Sequence, residues 1–402
     1  MQGQGRRGRP DGGLKDAVRH RGYELTDCGN AERLVELYGE GIRFCRLMRE
    51  WFVWRKPAWT VDSGAVVQLA KKAVRTMNLD RRALLDQAEE LSDSGEILRL
   101  QADALSKWAK RSEGARHIAA MVHLAESDPR VCISPGDFDR DPWALNVLNG
   151  TIDLRTGYLR PHKPEDLTTK LAPVAYDPRA KCERWLQFLE EVFKPHPEVI
   201  NFLQRAIGYT LTGDVREECI FILVGKGRNG KSTLIKILHD LLGSYGGVAE
   251  IETFLMSHRG ALREDIADMQ GRRFIGAQEP ALEGAFAEGK LKWLSGGDML
   301  RSRRLWEHAQ EFAPSHKLWL AVNKLPKLRH DDPAAWSRLR LIPFDVSFEN
   351  MPDRELKRKL RGELNGILNW ALQGCLLWQQ TGLGFAPSMK NVIHLCRKAI
   401  NI

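Results

Sequence analysis

The 402-residue chain reads as an α/β protein in which a mainly α-helical N-terminal domain precedes a sheet-forming domain and a short helical C-terminal cap. Three observations predict this. Apolar strand-like runs at 219–224, 273–277, 318–322 and 339–344 are separated by helical or polar stretches, the alternation of an α/β domain. Between Gly64 and Glu126, "AVVQLAKKAVRTM", "RRALLDQAEEL" and "HIAAMVHLAE" repeat apolar residues at i, i+3 and i+4. Towards the end, Leu356, Leu360, Leu364, Ile367, Leu368, Ala371 and Leu372 form one amphipathic stripe.

Residues 1–25 are expected to be a disordered basic tail, because their cations are not followed by the apolar stretch of a secretory signal. The helical domain is expected over 26–185. It ends in a β-hairpin at "LNVLNGTIDLRTGYLRPH", where Val147, Ile152 and Leu154 precede the turn-like "RTG" and Tyr158 and Leu159 come after it. Two helices, "CERWLQFLEEVF" and "PEVINFLQRAIGYTL", then lead to the first strand of a domain spanning 186–345. Residues 346–402 complete the chain as a helical segment.

Composition narrows the classes. Hydrophobic residues make up 43% and charged residues 28%, which excludes a disordered chain. No apolar run approaches the ~18 residues a bilayer span requires, so no membrane partner and a cytoplasmic location are expected. Seven cysteines, scattered and never in C-x-x-C, exclude a zinc or disulfide frame. The net charge of +9 is compatible with a polyanionic partner.

The chemistry concentrates in "GKGRNGKST". Gly225, Lys226, Gly227, Arg228, Asn229, Gly230, Lys231, Ser232 and Thr233 lie between the apolar run "CIFILV" and the amphipathic "LIKILHDLLG". Glycines let the backbone curl so that successive N–H groups point at phosphate oxygens, and the helix after them adds its positive end. Lys231 is placed to reach the β and γ phosphates of ATP, and the Ser232 hydroxyl to ligate magnesium (Mg2+).

Three further positions complete the candidate site. Glu279 ends the run in "RRFIGAQEP", a carboxylate where an α/β sheet presents its ligand, and is read as catalytic group and second metal donor or simply as a solvated surface carboxylate. Asp265 and Asp268 rank lower because they precede the turn-like "GRR". Asn323 ends "KLWLAVN", as a water-positioning amide or simply as a turn residue. In "WSRLRLIPF", Arg338 and Arg340 share a face if extended; either is a surface ion-pair partner or a guanidinium offered to a neighbouring subunit, with Arg338 preferred.

With these residues in view, the chain resembles the superfamily 3 helicases, in particular the helicase half of phage and plasmid primase-helicases and of the poxvirus primase-helicase. The resemblance is carried by "NAERLVELYG", "PWALNVLNGTIDLRTGYLRPHKPEDLTTK", "YDPRAKCERWLQFLEEVF", "AIGYTLTGDVREE", "GKGRNGKST", "LKWLSGGDMLRSRRLWE", "FAPSHKLWLAVNKLP" and "WSRLRLIPFD". It implies an AAA+-like P-loop ATPase that forms a hexameric ring and moves 3′ to 5′ on single-stranded DNA. It also implies phosphate-loop roles for Gly225 to Thr233, the acidic motif's end at Glu279, an intermediate motif from Lys292 to Asp298, a sensor at Asn323 and a trans-acting arginine at Arg338.

In that family a hairpin between the acidic and sensor strands grips DNA. Here the piece is "MLRSRRLWEHAQEF", in which Arg301, Arg303, Arg304 and His308 flank Trp306, cations beside a stacking ring. From Met299 to Asp345, nine Lys/Arg stand against five Asp/Glu, an excess of +4. The plainer reading is a solvated basic loop with a core tryptophan.

The chain departs from the family in three ways. Only about 28 residues precede the similar region, so primer synthesis is not expected, and a separate primase or other replication proteins are candidate partners. The ending "PSMKNVIHLCRKAINI" drifts from the pattern and is expected to be truncated. The acidic motif, Gln278-Glu279, has one carboxylate. The function implied is an ATP-dependent DNA helicase or translocase of phage, prophage or plasmid replication. The alternatives are a catalytically weak DNA-binding scaffold and a small-molecule P-loop kinase, separable by whether DNA stimulates hydrolysis.

Overall fold

Contacts divide the chain into two units, one ending at Phe138 and one beginning at Asp139. The structure, a computed structural model, describes residues 23–91, 95–255, 264–279, 285–302, 310–324, 332–349 and 353–400.

In the first unit, α1 (Asp27–Tyr38) starts at Thr26, whose hydroxyl accepts from the Gly29 N–H at 3.1 Å. Three strands come next, β1 (Ile42–Cys45), β2 (Glu50–Arg55) and β3 (Ala58–Val61), then the helices α2 (Ser63–Glu90), α3 (Glu96–Ser112) and α4 (Ala115–Ala125), and β4 (Cys132–Ile133). The sheet order is β3-β2-β1-β4, with β4 parallel to β1. Helical periodicity did not foretell this sheet. Its inward residues Ile42, Phe44, Trp51 and Val53 pack with Val66, Ala70 and Val74 of α2 and Met121 of α4. The two expected helices around Val74 and Leu84 are one: neither Gly nor Pro interrupts Met77 to Arg81, so α2 runs through.

The second unit opens with the antiparallel strands β5 (Ala144–Val147), β6 (Gly150–Asp153) and β7 (Tyr158–Arg160), succeeded by α5 (Glu183–Val192) and α6 (Glu198–Leu211). The expected domain boundary at 185 falls inside this unit. Leu145, Val147, Ile152 and Leu154 share a core with Trp185, Phe202 and Leu368, so the hairpin belongs to the second unit and not to the helical first one.

A mixed α/β layer structure comes next, through β8 (Ile220–Val224), α7 (Lys231–Leu242), β9 (Gly246–Val248), α8 (Glu264–Ala267), β10 (Phe274–Glu279), α9 (Glu288–Ser295), β11 (Leu300–Ser302), β12 (Gln310–Phe312), β13 (Lys317–Val322), α10 (Pro333–Arg338) and β14 (Leu339–Pro343). Five strands form a parallel sheet in the order β14-β8-β13-β10-β9. Strand periodicity sends alternate residues to opposite faces. Phe221, Leu223, Trp319, Ala321 and Ile342 pack with α6 and α7, while Ile220, Ile222, Leu318, Leu320 and Leu341 join Ile275, Leu291 and Trp336 on the other side. Both faces are covered, which is why the strands read as continuous apolar runs.

The C-terminal stripe is two helices, α11 (Leu356–Gly362) and α12 (Leu364–Thr381), with α13 (Pro387–Ile400) after them. It is core rather than an external cap: Leu360, Ile367, Leu368, Ala371 and Leu372 are buried with α6. The break falls at Glu363, whose carboxylate accepts from the backbone N–H groups of Arg184 (3.0 Å) and Trp185 (2.9 Å). This carboxylate caps α5, whose own N-cap residue, Cys182, makes no side-chain cap bond.

Among the described residues, no helix is long and apolar enough to cross a membrane.

Candidate nucleotide-binding site

A loop rich in glycine joins β8 to α7, and two of its glycines are required by geometry. Gly230 has φ +92°, and a Cβ there would meet Val192 at 3.0 Å and Phe188 at 3.1 Å. A Cβ on Gly225 would stand 2.2 Å from the carbonyl oxygen of Phe344. Asn229 Nδ2 donates to that same carbonyl at 2.9 Å, and Arg228 Nη1 meets Glu349 Oε1 at 3.0 Å, pinning the loop to the chain beyond β14. The loop leads into α7, whose first residue is Lys231, so its N–H groups and the helix's positive end share one opening.

Lys231 is buried, 6% exposed. Its ammonium donates to the carbonyls of Gly225 and Lys226 (3.2 Å for the latter), to Asn229 Oδ1 at 3.0 Å and to Asn323 Oδ1 at 3.4 Å. None of these acceptors is a carboxylate. Burial brings its pKa down to about 8.

The opening is a cavity of about 330 Å³ lined by Gly227, Arg228, Asn229, Gly230, Lys231, Ser232, Thr233, Gln278, Ala321 and Asn323. Parallel register explains the gathering: Val322 pairs with Val224 on one side and with Glu279 on the other. The loop after β8, Asn323 after β13 and Glu279 at the end of β10 therefore meet at the carboxyl edges of three adjacent strands, where open α/β sheets bind ligands. Gln278 and Ala321 line the cavity without having been singled out from sequence; their parity with Asn323 in paired strands is the signal that could have found them.

A nucleoside triphosphate fits this donor set. The cavity offers a buried cation whose acceptors among the described residues are neutral oxygens, together with backbone N–H groups and a helix N-terminus, all complementary to phosphate. For a magnesium ion, the exposed Ser232 hydroxyl at the second position of α7 is the described group that would hold it; Glu279 ends β10, and its side chain lies outside the described residues. Among the described residues no cluster of three or more His, Cys, Asp or Glu could hold a metal by itself, so the phosphates would have to supply the remaining oxygens.

Arg338 and Arg340 do not share a strand face as expected. Arg338 is the last residue of α10 and pairs with Glu218, just ahead of β8, while Arg340 is inside β14, buried and stacked 4.3 Å over Phe385. Leu339 pairs with Ile220 and Pro343 with Val224, so Arg338 lies at the opposite edge of the sheet from its own loop, on the order of 13 Å of strand away. Glu218, its partner, is 120 residues distant in the chain and was not anticipated.

Between β10 and β13, the stem of a hairpin is present: β11 and β12 pair antiparallel with Arg301 opposite Glu311. Leu300 and Phe312 anchor it in the core, and Arg301 is exposed. Arg303, Arg304, Trp306 and His308 lie outside the described residues.

Residues 31–194 match the family described as "D5 N terminal like", and residues 223–338 match "Family of unknown function (DUF5906)". The chain is 27% identical over 231 residues to "Putative helicase L207/L206" of Acanthamoeba polyphaga mimivirus, covering 56% of this chain and 24% of that protein. It is 22% identical over 384 residues to "Putative helicase 022R" of Frog virus 3 (isolate Goorha), covering 72% of this chain and 39% of that protein. The chain thus spans well under half the length of these relatives. In fold it is similar to the apo A form of the NrS-1 C terminal region, with a TM-score of 0.53 at 10% identity, over 90% of this chain and 74% of that one. The D5-like region and the viral helicase relatives together support a phage or viral primase-helicase-like family.

Proposed function

We propose that this chain is an ATP-dependent DNA helicase or translocase of the superfamily 3, AAA+-like type, working in phage, prophage or plasmid replication as a ring of identical copies, with a hexamer as the expected size. One observation carries the reading: a glycine loop holding a buried Lys231, bonded among the described residues to neutral oxygens, meets Asn323 and the strand end at Glu279 on adjacent strands, while Arg338 stands at the far edge. On this reading Arg338, remote from its own cavity, serves a neighbour's, as a head-to-tail ring requires.

In this mechanism the loop N–H groups and Lys231 bind the β and γ phosphates, with Lys231 exchanging its carbonyl acceptors for phosphate oxygens. Bound magnesium would supply charge neutralisation on those oxygens. Asn323 orients the attacking water, and the Glu279 carboxylate takes its proton as the water oxygen bonds to the γ phosphorus and ADP departs. Arg338 from the adjacent copy stabilises the charge that develops. The hairpin on β11 and β12 grips single-stranded DNA through its cations and Trp306, and its position tracks the state of the nucleotide.

The test is ATP hydrolysis by the purified protein with and without single-stranded oligonucleotide. The motor reading predicts strong stimulation by DNA. Hydrolysis indifferent to DNA, or binding of DNA without hydrolysis, contradicts it.

A further inference from the structure

Helix α9 lies between β10 and the hairpin stem, with Gly296 to Met299 separating its last residue from β11. Its final turn is held at two points. The carbonyl of Leu294 accepts a 3.2 Å hydrogen bond from Nε2 of His316, a buried side chain just ahead of β13. Burial pulls the His316 pKa down to about 4, so the ring is neutral and the bond fixes its proton on Nε2. The second point is Lys292, whose ammonium pairs with Oδ2 of Asp332.

Asp332 is not an ordinary surface carboxylate. Its other oxygen, Oδ1, accepts from the Ala334 N–H at 2.9 Å and caps α10, the helix that ends at Arg338. One carboxylate therefore joins the helix that leads into the DNA hairpin to the helix that carries the trans-acting arginine. His316 joins the same turn of α9 to the strand that immediately precedes Asn323. The pair is roughly one-third exposed on the lysine side and 27% on the aspartate side, so it contributes little to overall stability. Fixing the relative position of two short helices is a role for which its geometry is suited.

We infer that Lys292 and Asp332 are a positioning pair that transmits DNA engagement at the β11–β12 hairpin to α10 and so to Arg338. The inference rests on the motor reading above and specifies how its two working parts communicate. Neither residue lines the nucleotide cavity.

Asp332→Asn separates the two duties of the carboxylate, because asparagine caps a helix as well as aspartate does but carries no charge for Lys292. Lys292→Gln removes the same ion pair while leaving the cap untouched, and Lys292→Arg restores it. The readout is the ratio of ATP hydrolysis with single-stranded oligonucleotide to hydrolysis without it, alongside the thermal midpoint. Asp332→Asn and Lys292→Gln are expected to lower that ratio roughly fivefold or more, the scale of an allosteric coupling. Basal hydrolysis and the midpoint stay those of the unmodified protein, and Lys292→Arg keeps most of the stimulation. An unchanged ratio in Lys292→Gln overturns the inference, even where Asp332→Asn lowers the midpoint, since only the cap would then matter. Absence of any stimulation in the unmodified protein overturns the motor reading and the coupling with it.

Discussion

Lys231 Nζ donates to Asn323 Oδ1 at 3.4 Å, linking the first residue of α7 to the residue just after β13 across 92 positions of chain. The contact brings the cation proposed to bind phosphate and the amide proposed as sensor to one cavity. Removing either should affect different steps. Lys231→Ala is expected to abolish hydrolysis, whereas Asn323→Ala is expected to slow it by about 10²-fold, the scale of a lost transition-state donor, with smaller change in ATP affinity. Steady-state kinetics with parallel nucleotide-binding titrations check this.

The depressed pKa of Lys231 gives a pH signature. Below about 8 the buried ammonium is charged, and above it the group is neutral. A triphosphate favours the charged form, so the complex has the higher pKa and binding takes up a proton above that value. Affinity for a non-hydrolysable ATP analogue should be level below the Lys231 pKa and fall by up to about tenfold per pH unit above it. In Lys231→Met that slope should disappear.

DNA binding is assigned to the hairpin. Arg303→Ala combined with Arg304→Ala should weaken binding of single-stranded oligonucleotide and flatten its salt dependence, by about 1.4 in the log–log slope at ~0.7 per phosphate contact. Unaltered affinity across a salt series would remove the hairpin from the DNA path.

A structural prediction concerns Glu363, whose carboxylate receives both the Arg184 and Trp185 N–H groups. Glu363→Ala leaves the start of α5 uncapped and should destabilise the protein by about 1 kcal/mol. Glu363→Gln keeps an acceptor oxygen and should lose less. Urea unfolding midpoints distinguish the two.

Much of the parallel sheet was legible because strands covered on both faces write themselves as unbroken apolar runs, and Ile220–Val224 and Lys317–Val322 are of that kind. The glycine loop was legible because its requirements are local. The concealed features were mostly long-range. The apolar residues of β5 and β6 would look the same whichever core they joined; the expected boundary at 185 lies near the end of the D5-like match at 194, whereas the compact units divide after Phe138. The stripe from Leu356 to Leu372 has helical spacing whether it caps a domain or fills it. Arg338 and Arg340 read as strand neighbours because a six-residue helix ending at Arg338 leaves no periodic trace. Glu218, Asp332 and Glu363 act through partners 120, 40 and 178–179 residues away, and no local pattern announces them.

The central claim is that one copy supplies the phosphate loop and the next supplies the arginine. Lys231→Ala and Arg338→Ala should each be inactive alone, and the most direct test mixes the two proteins and measures ATP hydrolysis with single-stranded DNA. Recovery of hydrolysis in the mixture is the predicted result, because some interfaces then pair an intact loop with an intact arginine. A mixture as inactive as its components, from proteins that still assemble together, would contradict the account.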